Sequence, residues 1–324
     1  MEEGVEVQFA IWGAGAVGIG LASTLARSGE RVRILGRDAE TCHALAQHGI
    51  VRTGLFGTRT VPPNQLMIET DPSSLTENPP HWLLICTKAF ATPAIADALE
   101  RLAPTLERQT RLLLCQNGWG NERPFAHFWP TARLFHARII TGFHRRSPYE
   151  VEITAHAAPI ALGSVFGEST GSLEPVATQI SEGGVPAHTT DDMRAVLWAK
   201  MLYNCALNPL GALAGRRYGE LTENPRTRRI VDEVIHEIFQ VLEGARISLP
   251  WTNAAAYLET FHGELIPTTS SHESSMLQDL RADRPTEIEA LCGAVERLGA
   301  ESNIETPVVS ALAELVRAAE RAKA

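Results

Sequence analysis

The segment Phe9-Ala10-Ile11-Trp12 runs without a break into Gly13-Ala14-Gly15-Ala16-Val17-Gly18, and an apolar stretch follows. Three glycines at that spacing, between a strand and a helix, admit few architectures. The first permits a tight turn, the second lets the backbone approach a diphosphate, and the third lets helix and strand pack closely. The helix start then presents unpaired N–H groups and a partial positive charge to phosphates. The rival explanation is a glycine turn with no ligand. Strand, turn, helix and second strand stand in register here, so a dinucleotide site over Gly13, Ala14, Gly15, Ala16, Val17 and Gly18 is expected.

The same alternation continues. A strand is predicted over 5–12, a helix over 17–28 closed by Gly29, and strands over 32–35, 82–86 and 111–115. Ile95, Leu99 and Leu102 give 91–103 a helical spacing. Continuous apolar strands alternating with helices argue for a parallel sheet covered on both faces. From about 134 to 162 short β-like pieces are broken by Pro148 and Pro159, and read as an antiparallel extension of the same sheet. A helix near 173–181 and a strand near 185–188 complete this domain.

After about 191 the strand signal fades. Ile230, Val234 and Ile238, with Val231, Ile235, Phe239 and Leu242, recur at helical spacing. Helices are also predicted over 286–298 and 308–322, and 268–275 is the least regular segment. The fold class expected is α/β. A Rossmann-type doubly wound sheet forms a dinucleotide-binding domain over 1–190. A mainly α-helical C-terminal domain follows over 191–324.

Composition excludes several functions. The net charge of −9 and the scattered arginine pairs argue against a phosphate-tracking nucleic-acid binder. No run approaches the ~18 apolar residues of a bilayer span. The five cysteines include no Cys-x-x-Cys, so neither a disulfide framework nor a thiolate metal site is expected. The acidic start Met1-Glu2-Glu3 does not read as a signal peptide. A cytoplasmic protein with no nucleic acid, membrane or metal partner fits. A helix face of the second domain would suit a homodimer as well as internal packing.

The end of the second strand bears on the cofactor. An NAD site places an acid there for the ribose 2′-hydroxyl. Here Gly36 occupies that position and Arg37 follows, a guanidinium suited to the 2′-phosphate of NADP. Asp38 is the rival, able to serve NAD or to cap the next helix. The charge argument favours NADP(H).

Polar residues also stand in apolar context. Thr87-Lys88 and Gln116-Asn117-Gly118 end two buried strands, where open α/β sheets bind ligands. A surface lysine and an ordinary turn are their bland alternatives. Lys200, Asn204 and Asn208 are spaced by four and share one helix face among apolar neighbours. That face is either solvated or a ligand-facing row, and the apolar flanks favour the row. Thr286 or a neighbour suits a helix cap.

These motifs, in this order, resemble the ketopantoate reductase family (2-dehydropantoate 2-reductase). The resemblance rests on Thr87-Lys88-Ala89, Gln116-Asn117-Gly118-Trp119-Gly120, Lys200 through Asn208-Pro209-Leu210, and Ser274-Ser275-Met276-Leu277-Gln278-Asp279 with Thr286-Glu287-Ile288. It implies NADPH-dependent reduction of 2-dehydropantoate to (R)-pantoate, on the route to pantothenate, with Lys200 as the general acid. It implies that Asn204, Asn208 and Ser275 hold the substrate, and that Asn117 touches substrate and cofactor. Lys88 would lie near the nicotinamide, and Thr87 would bind the cofactor. Glu287 would position the ribose and support Lys200, and Arg37 would meet the 2′-phosphate. One departure stands out: family members often carry Asn before Gly-Glu-Leu, and this chain has Tyr218. A reductase of another 2-keto acid, or an NADP-sensing protein without turnover, would share the same skeleton.

Overall fold

The structure, a computed structural model, describes residues 8–27 and 31–321. The chain forms two compact units. One comprises the described residues up to Gln116 together with Asn121–Met193; the other comprises Asn117–Gly120 and the chain from Arg194 onward.

In the first unit the strands are β1 (Phe9–Trp12), β2 (Val32–Leu35), β3 (Ile50–Gly54), β4 (Arg59–Val61), β5 (Leu66–Glu69) and β6 (Trp82–Ile85). They continue as β7 (Arg111–Leu114), β8 (Leu134–Arg138), β9 (Thr141–Arg145), β10 (Glu150–His156), β11 (Ile160–Gly163) and β12 (Ala187–Thr189). The helices are α1 (Ala16–Leu25), α2 (Ala39–His48), α3 (Thr92–Leu106) and α4 (Glu174–Glu182). The main sheet has the order β12-β11-β8-β7-β6-β1-β2-β5. The pairings from β8 through β5 are parallel, and β11 runs antiparallel to β8. Strand β1 lies between β2 and β6, where the winding reverses, which is where open α/β sheets bind ligands.

The continuous apolar strands have a simple cause. Alternate residues point to opposite faces, and both faces are covered. Phe9, Ile11, Leu84 and Leu113 enter a core with Ile19, Leu21 and Leu25 of α1 and Ile180 of α4. Ala10, Leu83, Ile85 and Leu112 enter another with Ile95, Leu99 and Leu106 of α3. Burying each large side chain contributes about 1.5–3 kcal/mol.

One expectation is corrected. The 134–162 region does not simply extend the main sheet. Strands β8 and β11 join it, but β9 and β10 leave to form a separate sheet with the order β4-β3-β10-β9. Hydrophobic burial explains the departure: Val151 and Ile153 of β10 pack into the α1 core together with Ile50 and Val61. The Phe143 ring of β9 lies against Gly20 of α1. Ile139-Ile140, expected in a strand, falls between β8 and β9. The predictions for residues 5–7, 28, 29 and 322 lie outside the described residues.

The second unit is helical. Its helices are α5 (Met193–Ala214), α6 (Tyr218–Glu223), α7 (Pro225–Gly244), α8 (Ala254–Thr260), α9 (Ile266–Thr269), α10 (Ser275–Arg281), α11 (Cys292–Glu301) and α12 (Pro307–Arg321). Helix α5 supplies the centre of the core, where Trp198, Leu202, Cys205 and Ala206 meet Val231, Val234, Ile235 and Ile238 of α7. The helix predicted over 286–298 begins only at Cys292. The Thr286 hydroxyl accepts from the Ile288 N–H at 3.2 Å, a local bond that competes with the helix. The Glu287 carbonyl accepts from Ala290 and Leu291, both at 3.1 Å, so the segment is a compact turn. Thr268 and Thr269, predicted irregular, finish α9.

Buried Glu237 on α7 ties the last helix down. Its two carboxylate oxygens accept from the N–H groups of Val308 and Val309, at 2.8 and 2.9 Å. A carboxylate there also complements the helix dipole. Glu237→Ala leaves both donors buried without that partner, and is expected to cost about 1–3 kcal/mol, read from urea unfolding of the whole chain. An unchanged midpoint would show that the contact adds nothing to stability.

Candidate active site

The glycine turn of the first unit sits at the C-terminal end of β1. Gly13 has φ of 118°, in the region that favours glycine, and a Cβ there would come within 2.9 Å of the Cys86 carbonyl carbon and the Thr87 nitrogen. Gly15 is the N-cap of α1 and faces open space: a Cβ there would meet nothing within 4 Å. No side chain caps α1, and no acid lies in its first turn. The first N–H groups are therefore left for an outside acceptor, and no carboxylate of the helix's own first turn repels an anion.

The neighbouring strand ends complete this cradle. At the end of β2, Gly36 is buried, while Arg37 and Asp38 are exposed. Asp38 caps α2, accepting from the Thr41 N–H at 2.9 Å, and the Thr41 bonds hold its carboxyl below the usual carboxylate range. Arg37 makes no hydrogen bond or ion pair among the described residues and carries its charge outward. After β6, Thr87 and Lys88 are half-buried. Buried Gln116, after β7, ties them in by donating from Nε2 to Thr92 Oγ1 at 2.9 Å, Thr87 Oγ1 at 3.2 Å and the Lys88 carbonyl at 3.4 Å. Its Oε1 is buried with no partner among the described residues. An open glycine turn, uncapped N–H groups, an outward guanidinium and this orphaned acceptor fit a dinucleotide.

The second unit gathers a different set. Lys200 on α5 donates from Nζ to Asn117 Oδ1 at 2.6 Å. Asn117 Nδ2 in turn donates to Glu287 Oε2 at 3.0 Å. The Asn117 amide therefore links the ammonium to a carboxylate that is only 7% exposed. The backbone reinforces this chain, because the Trp119 N–H donates to the Ala290 carbonyl at 2.9 Å. The Trp119 ring also packs against Trp198, with centroids 5.3 Å apart. Glu287 is pinned on both sides by α12: Glu320 accepts from the Thr286 N–H at 2.6 Å, and Arg317 donates to both oxygens of Glu289 at 2.7 and 3.1 Å.

The rest of the predicted row divides. Asn204, one turn beyond Lys200, is half-buried. Asn208 is buried, and its Oδ1 accepts from the Tyr218 hydroxyl at 2.6 Å. Burial, with Tyr203 adding to it, pushes the Tyr218 phenol far above its ordinary range, so it stays a donor at working pH. Burial likewise lifts Tyr203, pushed up to about 12. Ser275 is exposed as the first residue of α10, whereas fully buried Ser274 performs the capping, accepting from the Leu277 N–H at 3.0 Å.

The comparisons with known proteins agree over nearly the whole length. A family profile described as "Ketopantoate reductase PanE/ApbA" matches residues 9–166, and one described as "Ketopantoate reductase PanE/ApbA C terminal" matches 192–320. A 2-dehydropantoate 2-reductase of Aquifex aeolicus (strain VF5) is 32% identical over 97% of each chain. This chain belongs to the ketopantoate reductase family. A crystal structure of 2-dehydropantoate 2-reductase from Geobacter metallireducens GS-15 superposes with a TM-score of 0.84 at 27% identity, covering 97% of this chain and all of that one. A D-mandelate dehydrogenase solved with NADH and anilino(oxo)acetate has the same fold, with a TM-score of 0.83 at 24% identity over 98% of this chain and 99% of that one.

As a ketopantoate reductase family member the chain is an oxidoreductase acting on a CH–OH group, a chemistry served by a nicotinamide cofactor. Among the described residues no helix is long and apolar enough to cross a membrane, and no cluster of His, Cys, Asp and Glu could hold a metal ion. Gln116 as a strap and Glu320 as a support were not anticipated. Gln116 was marked by its place at the end of an apolar strand and within the family motif, but neither signal gives its bonds to Thr87 and Thr92. Nothing local marks position 320 as a partner of 286.

Proposed function

We propose that this chain reduces a 2-keto acid of the 2-dehydropantoate class with NADPH, and that Lys200 supplies the proton. The observation that carries this reading is the hydrogen-bonded series Lys200–Asn117–Glu287. The unit containing the glycine turn is the cofactor-binding domain, and the helical unit is the substrate and catalytic domain. The N–H groups after Gly13, Ala14 and Gly15 would hold the diphosphate, with Ala16, Val17 and Gly18 forming the helix start. Arg37 would pair with the 2′-phosphate; Thr87 and Lys88, and separately Asn117 and Glu287, are assigned to the cofactor. When bound, a reduced nicotinamide supplies a hydride to the ketone carbon.

The chain's own residues do the remainder. Hydride arrival leaves negative charge on the ketone oxygen, and the Lys200 ammonium both stabilises that charge and gives up a proton to it. Asn117 holds Nζ in place through a neutral acceptor. The amide passes positional restraint from Glu287 to the ammonium. Asn204, Asn208 and Ser275 are assigned to the substrate, where neutral donors orient it without altering the local charge. The test is NADPH oxidation with a panel of 2-keto acids, with pantoate identified as the product from 2-dehydropantoate. No oxidation with any of them would overturn the reading.

The NADP preference has a separate check. Arg37→Ala should weaken NADPH binding by about 10–100-fold, the size of one or two charge-assisted hydrogen bonds, and leave NADH nearly unchanged. Equal losses for both cofactors would assign Arg37 to packing instead. The capping role of Asp38 supports NADP, because its carboxylate already accepts from Thr41. A second reading, reduction of a different 2-keto acid, is favoured by the Tyr218–Asn208 bond.

A further inference from the structure

Within the row Lys200, Asn204 and Asn208, the last member differs in kind. It is 5% exposed, and its amide oxygen accepts from the phenol of Tyr218. Tyr218 cannot swing away freely. It is 3% exposed, and its N–H donates to the His272 carbonyl at 3.1 Å. The ring meets Tyr203 nearly edge-on, with centroids 5.6 Å apart, and lies 5.1 Å from His272. Asn208 therefore has its O–H donor from the protein, held by packing, before any substrate arrives.

That changes what the site can reject. A buried amide that relies on a substrate hydroxyl for its partner discriminates by about 10⁴–10⁵ against an analogue lacking it, because the amide is then left unpaired. No such penalty arises where the partner is built in. We infer that Tyr218 is a specificity-determining residue: its phenol takes the place of a substrate hydroxyl at Asn208, so the site accepts 2-keto acids with no side-chain hydroxyl. This rests on the 2-keto acid reading above and narrows its substrate class.

The test compares 2-dehydropantoate with its deoxy analogue, which has a methyl group in place of the hydroxymethyl, both with NADPH. The wild-type chain should show kcat/KM values within about tenfold of each other, far from the 10⁴–10⁵ of a site that reads a hydroxyl. A larger preference for 2-dehydropantoate overturns the inference. Tyr218→Phe keeps the ring and removes only the donor. It should move the ratio at least about fivefold towards 2-dehydropantoate, mostly by losing activity on the analogue. A smaller shift in a variant of unchanged melting temperature also overturns it. Should that variant not fold, the wild-type ratio decides alone. Oxidation with 2-dehydropantoate only would keep the general reading and remove this inference, whereas no oxidation with either acid removes both.

Discussion

Lys200→Ala is expected to lower kcat by about 10²–10⁴, the usual size of a general-acid contribution, with NADPH affinity held within about twofold. The separation follows from placement. Nζ is bonded to Asn117, whereas the diphosphate and 2′-phosphate contacts that carry most of the cofactor's charge are assigned to the glycine turn and Arg37. Removing the ammonium leaves the Asn117–Glu287 bond and the buried flanks Trp198, Met201 and Leu202 in place. The helix itself should tolerate alanine, its best former. Two roles for the lysine give different kinetics. A pure electrostatic anchor for the substrate carboxylate would raise KM and spare kcat. A proton donor acting at the transition state would lower kcat and kcat/KM together. Lys200→Arg separates them further, since it keeps the charge but is a far weaker acid. Recovery of kcat in that variant would reduce Lys200 to an anchor. Normal turnover in Lys200→Ala would remove it from the mechanism altogether.

What could be read from the sequence followed locality. The strands ending near Ile85 and Leu114 were legible because burial on both faces makes a continuous apolar run. Strands β3, β4 and β5 went unread. They are short, Arg52 and Arg59 interrupt their apolar pattern, and Gly54, Gly57, Pro62 and Pro63 punctuate them. The helix expected over 286–298 failed for an instructive reason. Ile288, Leu291, Val295 and Leu298 have helical spacing and all enter the core, but the first two reach it from a turn. Periodicity reports burial, and two backbones here satisfy the same pattern. For the site, the spacing of Lys200, Asn204 and Asn208 was visible because helix geometry is local. The meeting of Asn117 with Lys200 spans 83 residues, and only the family resemblance brought them together. Tyr218 was visible as a departure, but its bond to Asn208 was not, because it depends on how α6 returns to α5.

Gly18→Ala should cost about 10²-fold in cofactor affinity, the size of one or two lost charge-assisted hydrogen bonds from the turn's N–H groups to the diphosphate. By propensity alone the change should help: alanine inside a helix is better than glycine by about 1 kcal/mol. Packing overrides this. A Cβ at that position would lie 1.9 Å from the Gly13 carbonyl oxygen and 3.3 Å from the Cys86 Cβ. The first obstacle is backbone, so no side chain can rotate to make room. Either α1 slides away from the turn or the turn opens, and both movements displace the N–H groups offered to the diphosphate. Stability should fall by about 1–3 kcal/mol as for other overpacked sites. Gly15→Ala is the companion that separates ligand from fold. Its φ of −84° is ordinary for alanine, and its Cβ meets nothing within 4 Å. The melting temperature should therefore stay put while cofactor binding falls, because the methyl group would occupy the space the diphosphate needs. Should Gly15→Ala bind NADPH as tightly as the wild type, the diphosphate does not lie over this turn, and the cofactor assignment of the first unit fails with it.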